Sequence, residues 1–300
     1  MKEIWNKIYT YNYNNVEWFF IKIILIVLWG ILASLVLGSF QTIPMPQGIC
    51  KIFPCELLLG GYPKYALIVI IILAAIFYIL EIKQMITCLV IFILSTLLFT
   101  IEDSNGILNR NSIFTFVFFA QFLAYLLHHY DSKTDLKKNR IQFSVQVIAA
   151  GYTLSALSKL FNSGIFWVVD GKRITLQILK SYYSLYVNYG NTTILDKGIK
   201  MASFIENHTA LVYFLLGISL ILELFALVSI VSKKHALIYG LLLTAMHIGI
   251  YIVMDIAIVS IVIPMVLFMV NPLYIVWIVV KSLYLKLVFG SSKLFLSKTK

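Results

Sequence analysis

Apolar residues in this chain come in long runs, not in strand-like alternation. Positions 18–39, 65–80, 85–101, 112–129, 141–161, 209–232 and 236–254 are predominantly apolar, and a helix needs about 20 such residues to cross a bilayer. An eighth run, 256–270, is short and carries Pro264. The pattern predicts an all-α, polytopic transmembrane helix bundle of about seven or eight spans, forming a single domain over 1–300. The first run lacks a small-residue cleavage site and is too long for a signal h-region, so it is expected to stay as a helix.

Between the fifth and sixth runs the pattern changes. From 172 to 187, Ile174, Ile178, Tyr182 and Leu185 recur at helical spacing, with Lys172, Arg173, Thr175, Gln177, Lys180, Ser181 and Ser184 on the other side. This predicts an amphipathic helix. A second, over 194–205, is expected after a polar turn at 188–193. Gly164 and the Asp170-Gly171 pair are turn signals, and Trp167 suits the headgroup level. The segment 162–208 therefore reads as an outer amphipathic cap. It either covers helix ends or closes a cavity that opens outward.

Composition narrows the class. The 300 residues are 61% apolar and 12% charged, against about 25% charged in soluble domains. Net charge is +11, and it is distributed by loop. Lys2, Lys7, Lys83, Lys133, Lys137, Lys138, Arg140, Lys233, Lys234 and the C-terminal lysines fall in alternate loops. The positive-inside rule places those loops and both termini in the cytoplasm, with the chain in the cell membrane. The charge then matches anionic lipid. No zinc-finger spacing or RNA-binding signature points to nucleic acid. Richness in Ile, Lys and Asn suits an AT-rich bacterial genome.

Cys50 and Cys55 stand in Gly48-Ile49-Cys50-Lys51-Ile52-Phe53-Pro54-Cys55, a loop on the oxidising side in this topology, where a disulfide persists. Their C-x4-C spacing differs from the redox-tuned C-x-x-C. No His or carboxylate stands at ligand spacing, so no metal site is expected. Cys88 reads as a small core residue.

Three ionisable side chains, Lys159, Glu223 and His247, lie inside apolar segments. A charge at the bilayer centre costs at least about 2.5 kcal/mol, so such residues face a bundle interior, pair, or line a polar cavity. Ser144, Gly151, Tyr152, Ser155 and Lys159 share one helix face. That stripe suits close helix packing or the wall of a wet cavity, and Lys159 is near enough to its helix end to snorkel. His247 sits mid-helix with Gly240, Thr244 and Tyr251 on its face. Glu223 lies roughly 18 Å from the outer end of its helix at 1.5 Å per residue. That depth favours a contact with His247 over one with Lys159. His128 and His129 read as interfacial residues at an inner helix end.

The run Tyr152-Thr153-Leu154-Ser155-Ala156-Leu157-Ser158-Lys159-Leu160, followed by Trp167 and Gly171, resembles a segment of the HTTM (horizontally transferred transmembrane domain) family. That family is related to the membrane domain of vitamin K-dependent γ-carboxylase. Leu222-Glu223-Leu224-Phe225-Ala226 and Ala245-Met246-His247-Ile248-Gly249 look like its later acidic and His-bearing helices. The resemblance covers about 140–270. It implies that Lys159 is the base that starts quinol chemistry and that His247 lies in the same membrane site; in an enzyme reading built on the depths above, His247 is a proton shuttle or donor and Glu223 its orienting partner. Tyr152, Ser155, Trp167 and Tyr251 would line the place of a quinone-like, lipid-soluble cofactor.

The small HTTM proteins of the sporulation-delaying-protein B type are similar to this chain. They imply a membrane enzyme or maturation factor acting on a secreted peptide with partner membrane proteins. A second resemblance is to DoxX-like and MauE-like redox-associated membrane proteins, through the late Gly/Trp outer segment. A non-catalytic membrane scaffold or immunity protein is the other alternative. A transporter ranks below these, since no inverted repeat and no paired Gly/Pro-broken helices appear.

Overall fold

The computed structural model describes residues 10–11, 13–106, 111–169, 171–256, 258–274, 276 and 280. The expected Asp170 turn residue and the C-terminal lysines lie outside these. Among the described residues every regular element is helical. The main helices are α1 (Asn15–Ser39), α2 (Gly61–Ile79), α3 (Gln84–Ser104), α4 (Ser112–Tyr130), α5 (Leu136–Ser163), α6 (Gly171–Tyr189), α7 (Thr192–Asn207), α8 (Thr209–Leu224), α9 (Lys233–Met254) and α10 (Val259–Met265). Among the described residues, six helices are long and apolar enough to cross a membrane: α1 to α4, α8 with its 3-10 continuation to Ile230, and α9. By length and composition this is a multi-pass membrane protein.

Helix ends follow local chemistry. Asn14 and Glu17 form a reciprocal capping box at the start of α1, satisfying two donors that the first turn leaves free. Asp135 accepts from the Lys138 amide to open α5. Short turns join α2 to α3 and α4 to α5, so these neighbours run antiparallel. The expected short span at 256–270 is instead a seven-residue helix that passes at Met265 into a π-helical turn, Val266–Val270. Pro264 has no N–H for the α-ladder, and the wider turn ends at Asn271 in the left-handed region.

One hydrophobic core joins α1 to α5 with α9 and α10, around Trp18, Trp29, Phe114, Phe118 and Phe268. Its end near the α2–α3 turn is unexpectedly rich in buried cations. Lys22, inside the first apolar run, donates to Glu81 Oε1 at 2.9 Å and to the Ile79 carbonyl at 2.8 Å. Trp18 Nε1 donates to the same carboxylate oxygen. Arg140 lies 3.7 Å over the Trp18 ring. Lys233 is 2% exposed, and its three ammonium protons meet the Phe268 carbonyl, the Met269 carbonyl and the Tyr13 hydroxyl. Arg140 and Lys233, expected among solvated loop cations, are thus interior residues. The Phe268 and Met269 carbonyls stand in the last turn of this helix, where intrahelical N–H partners run out, and Lys233 takes them up. Burial holds the Tyr13 hydroxyl well above the ordinary phenol value, with Glu17 and Tyr11 adding to the shift.

Helices α6 and α7 form an antiparallel hairpin joined at Gly190–Asn191. Their core is separate: Ile178, Tyr182, Ala202, Ile205 and Val212, with Leu216, Val253 and Met254 packed against it. The face expected to be apolar is the face that packs. The hairpin is close-fitting, since a Cβ added at Gly198 would fall 2.5 Å from Tyr182 Cβ. Cys50 and Cys55 are bonded to each other, in a short 3-10 loop tied to the end of α3 by Gln47 N–H donating to Ser104 Oγ.

Candidate functional site

Helix α5 is the longest element among the described residues, at 28 residues, and it carries the site near its C-terminal end. Gly164 ends it at φ 61° and ψ −160°, a conformation that only glycine adopts without strain. The chain then turns into a 3-10 segment, Gly164–Val169. This places Trp167 back over the helix, with Lys159 Nζ 4.8 Å from its ring centre. On the facing side, α8 loses its α-helical ladder at Glu223–Leu224 and continues as a 3-10 turn, Phe225–Ile230. Thr153 Oγ1 reaches the carbonyls of Glu223 and Leu224, each at 3.4 Å. The buried Ala226 lets the two helices approach.

Lys159 Nζ donates to both Glu223 oxygens, at 2.7 and 2.5 Å. The pair is graded in depth: the Lys159 side chain is 26% exposed and that of Glu223 7%. The depth reckoning that set Glu223 beyond reach of Lys159 is corrected here. Val168, past the end of α5, sits beside Gly217, while Thr153 meets Glu223, so α5 and α8 run antiparallel. Helical side chains tilt toward their own N-terminus. On antiparallel helices that tilt carries Lys159 and Glu223 toward each other. Residue counting from helix ends omits this convergence.

His247 finds a different partner. Its Nε2 lies 2.6 Å from the Tyr152 hydroxyl, which also reaches Met265 Sδ at 3.3 Å. Glu223, expected to orient His247, is engaged with Lys159 instead. His247 Nδ1 is buried and has no hydrogen-bond partner among the described residues, and either tautomer leaves it so. A buried orphan of this kind costs about 1–3 kcal/mol. The two pairs share one face of α5, and Lys159 and Glu223 lie within Coulombic range of His247 and Tyr152.

Of the other expected site residues, Trp167 covers Lys159, whereas Ser155 and Tyr251 are exposed and join neither pair. Ser144 and Gly151 serve the helix and its packing. Ser144 Oγ donates to the Arg140 carbonyl, and a Cβ at Gly151 would fall 2.7 Å from Ile113. Thr153 and Met265 had no distinguishing mark in the sequence. Lys22 did, as a cation inside an apolar run with a Glu-containing turn opposite. Among the described residues no cluster of His, Cys, Asp or Glu has metal-binding geometry. No family model, curated protein or solved structure matches the chain.

Proposed function

We propose that this chain is an HTTM-like membrane enzyme or maturation factor whose acid–base centre is the Lys159–Glu223 pair. In this reading α5, and the run from α10 through its π-turn to Val270 packed beside α9, join the six apolar helices to give eight crossings, with both termini cytoplasmic and the α6–α7 hairpin on the outer side. Alternation supports it: the antiparallel course of α5 between α4 and α8 brings the disulfide loop, Trp167 and Lys159 to one end. The buried cations Lys22, Arg140 and Lys233 gather at the other. A bacterial membrane, with a secreted peptide as substrate and partner membrane proteins alongside, is the setting proposed.

One observation carries the chemistry. An ammonium and a carboxylate meet head-on in an apolar bundle, with the ammonium accessible under a single indole. Moving one proton from Lys159 to Glu223 converts the ion pair into a neutral amine and a carboxylic acid without changing net charge. Lys159 can then take a proton from a bound acid, and Glu223 stores the displaced one. Glu223 is thus the positioning and proton-holding partner of Lys159, not of His247.

A flat, lipid-soluble ring of the quinone class is the ligand this reading assigns, because the residues present are of the kinds that hold one. Trp167 offers a face, Lys159 a donor, and His247 an unused ring nitrogen. When bound, such a group would supply redox equivalents.

The test is a tryptophan-fluorescence titration with menadione in lipid nanodiscs. Saturable quenching is expected in the wild type, missing in Trp167→Phe and weakened in His247→Ala. Quenching that is unsaturable, or equal in wild type and Trp167→Phe, removes the cofactor reading. A scaffold role for the pair is separated by the exchange Lys159→Glu with Glu223→Lys. As a scaffold the exchanged protein regains stability and behaves as wild type, whereas as an acid–base centre it regains stability without ligand response.

A further inference from the structure

Helix α6 is apolar on two opposite sides. One side, with Ile178 and Tyr182, is buried against α7 and the adjoining ends of α8 and α9. At about 100° per residue, the opposite side carries Leu176, Lys180, Tyr183 and Val187. All four are exposed, the three apolar ones by 66%, 58% and 62%. Helix α7 differs: the centre of its outward face presents Lys200, Ser203 and Asn207, exposed and polar, with the exposed Ile199 and Phe204 at its margins. Gly198 presses the two helices together at Tyr182, so the apolar edge and the polar edge belong to one tight hairpin.

We propose that α6 lies lengthwise in the headgroup–acyl boundary of the bilayer, with its Leu176–Val187 stripe in lipid and α7 on the water side. Two observations favour lipid over a second copy of the chain. The hairpin docks on Val212 and Leu216 of α8. That helix also exposes Leu211, Phe214, Leu215 and Ile218, the surface a membrane span turns to lipid, so the hairpin is held on the first turns of a span, at the level where lipid begins. The stripe's chemistry is also interfacial: a lysine at its centre long enough to reach phosphates, and a tyrosine beside it. A hairpin whose polarity reverses from one edge to the other matches a boundary between hydrocarbon and water.

The proposal rests on the membrane reading and not on the chemistry of Lys159. Its test places spin labels at Tyr183→Cys, Val187→Cys, Lys200→Cys, Ser203→Cys and Phe214→Cys in a Cys88→Ala background. The protein sits in nanodiscs of phosphatidylglycerol and phosphatidylcholine. Collisions with oxygen should exceed those with a nickel chelate at 183 and 187, as at 214, and the order should reverse at 200 and 203. Nickel access at 183 and 187 overturns the proposal. So does shielding from both reagents, with dipolar broadening as the mark of a second copy. Nickel access at 214 overturns the membrane reading itself. Leu176→Trp, quenched by brominated lipid, gives an independent readout, and absence of quenching there counts against the proposal.

Discussion

Replacing Lys159 by Met leaves the Glu223 carboxylate, 7% exposed at its side chain, without a counter-charge. Removing one partner of a fully buried pair costs about 3–5 kcal/mol. Lys159 is partly accessible, and solvent screening lowers the expected loss to about 2–3 kcal/mol. Glu223→Gln should cost less, about 1 kcal/mol, because the freed ammonium is the more exposed partner and keeps Trp167 beneath it at 4.8 Å. The double variant buries no lone charge, so it should be no less stable than Lys159→Met alone, a coupling of at least about 1 kcal/mol. Reversible unfolding in mixed micelles of wild type, both single variants and the double measures the cycle. If Lys159→Met unfolds within about 0.5 kcal/mol of wild type, or if the two losses simply add, the carboxylate is not held by Lys159 and the proposed acid–base centre is wrong.

Further outcomes follow from other contacts. Lys233→Met strips donors from two carbonyls and the Tyr13 hydroxyl; at about 1–3 kcal/mol per buried orphan, loss of folded protein in detergent is expected, and Lys233→Arg should not restore it because a planar fork cannot fill a trigonal site. Gly198→Ala forces its methyl into Tyr182, and should raise proteolysis within 171–207 while leaving the main bundle's melting point nearly unchanged. Lys83 sits at φ 46° without a side-chain cap, so Lys83→Gly should stabilise the α2–α3 turn by about 1 kcal/mol, read as a higher Tm. At Glu81, burial alone would raise the carboxyl pKa, but the hydrogen bond and charge of Lys22, with Arg140 and Trp18, hold it below the ordinary value. Its stabilisation is complete above the ordinary Glu pKa of about 4.3 and is lost as pH falls through the lowered folded value. A pH series of unfolding should show that acid-side loss in wild type and not in Glu81→Gln.

Much of the fold was legible because apolar run length and helical periodicity are local properties. Six of the expected spans, the paired cysteines and the packing face of α6 could be read from neighbours a few residues apart, whereas the runs at 141–161 and 256–270 form helices that do not qualify as spans by length and composition. The partners of charged residues could not. Lys159 meets Glu223 across 64 residues, and which helices lie side by side is not written in either one's periodicity. Tyr152 was noticed for its place on the stripe, but nothing marked it as the partner of His247. Loop position misled as well: Lys233 and Arg140 sit in sequence where solvated cations are expected, yet the π-turn carbonyls and the Trp18 face draw them inward.

The Lys233 cradle bears on how the chain is made. Tyr13 bonds to Phe268 across 255 positions, so the approach to α1 closes only once the π-turn has been made. At about 5–20 residues per second, Tyr13 waits roughly 13–50 s on the ribosome's clock before its acceptor exists. Throughout that interval Lys233, once made, has no finished cage. A chain halted before 268 would leave the Lys233 ammonium and the Tyr13 hydroxyl without the carbonyls that hold them together, so the two ends of the described fold are locked in one late step.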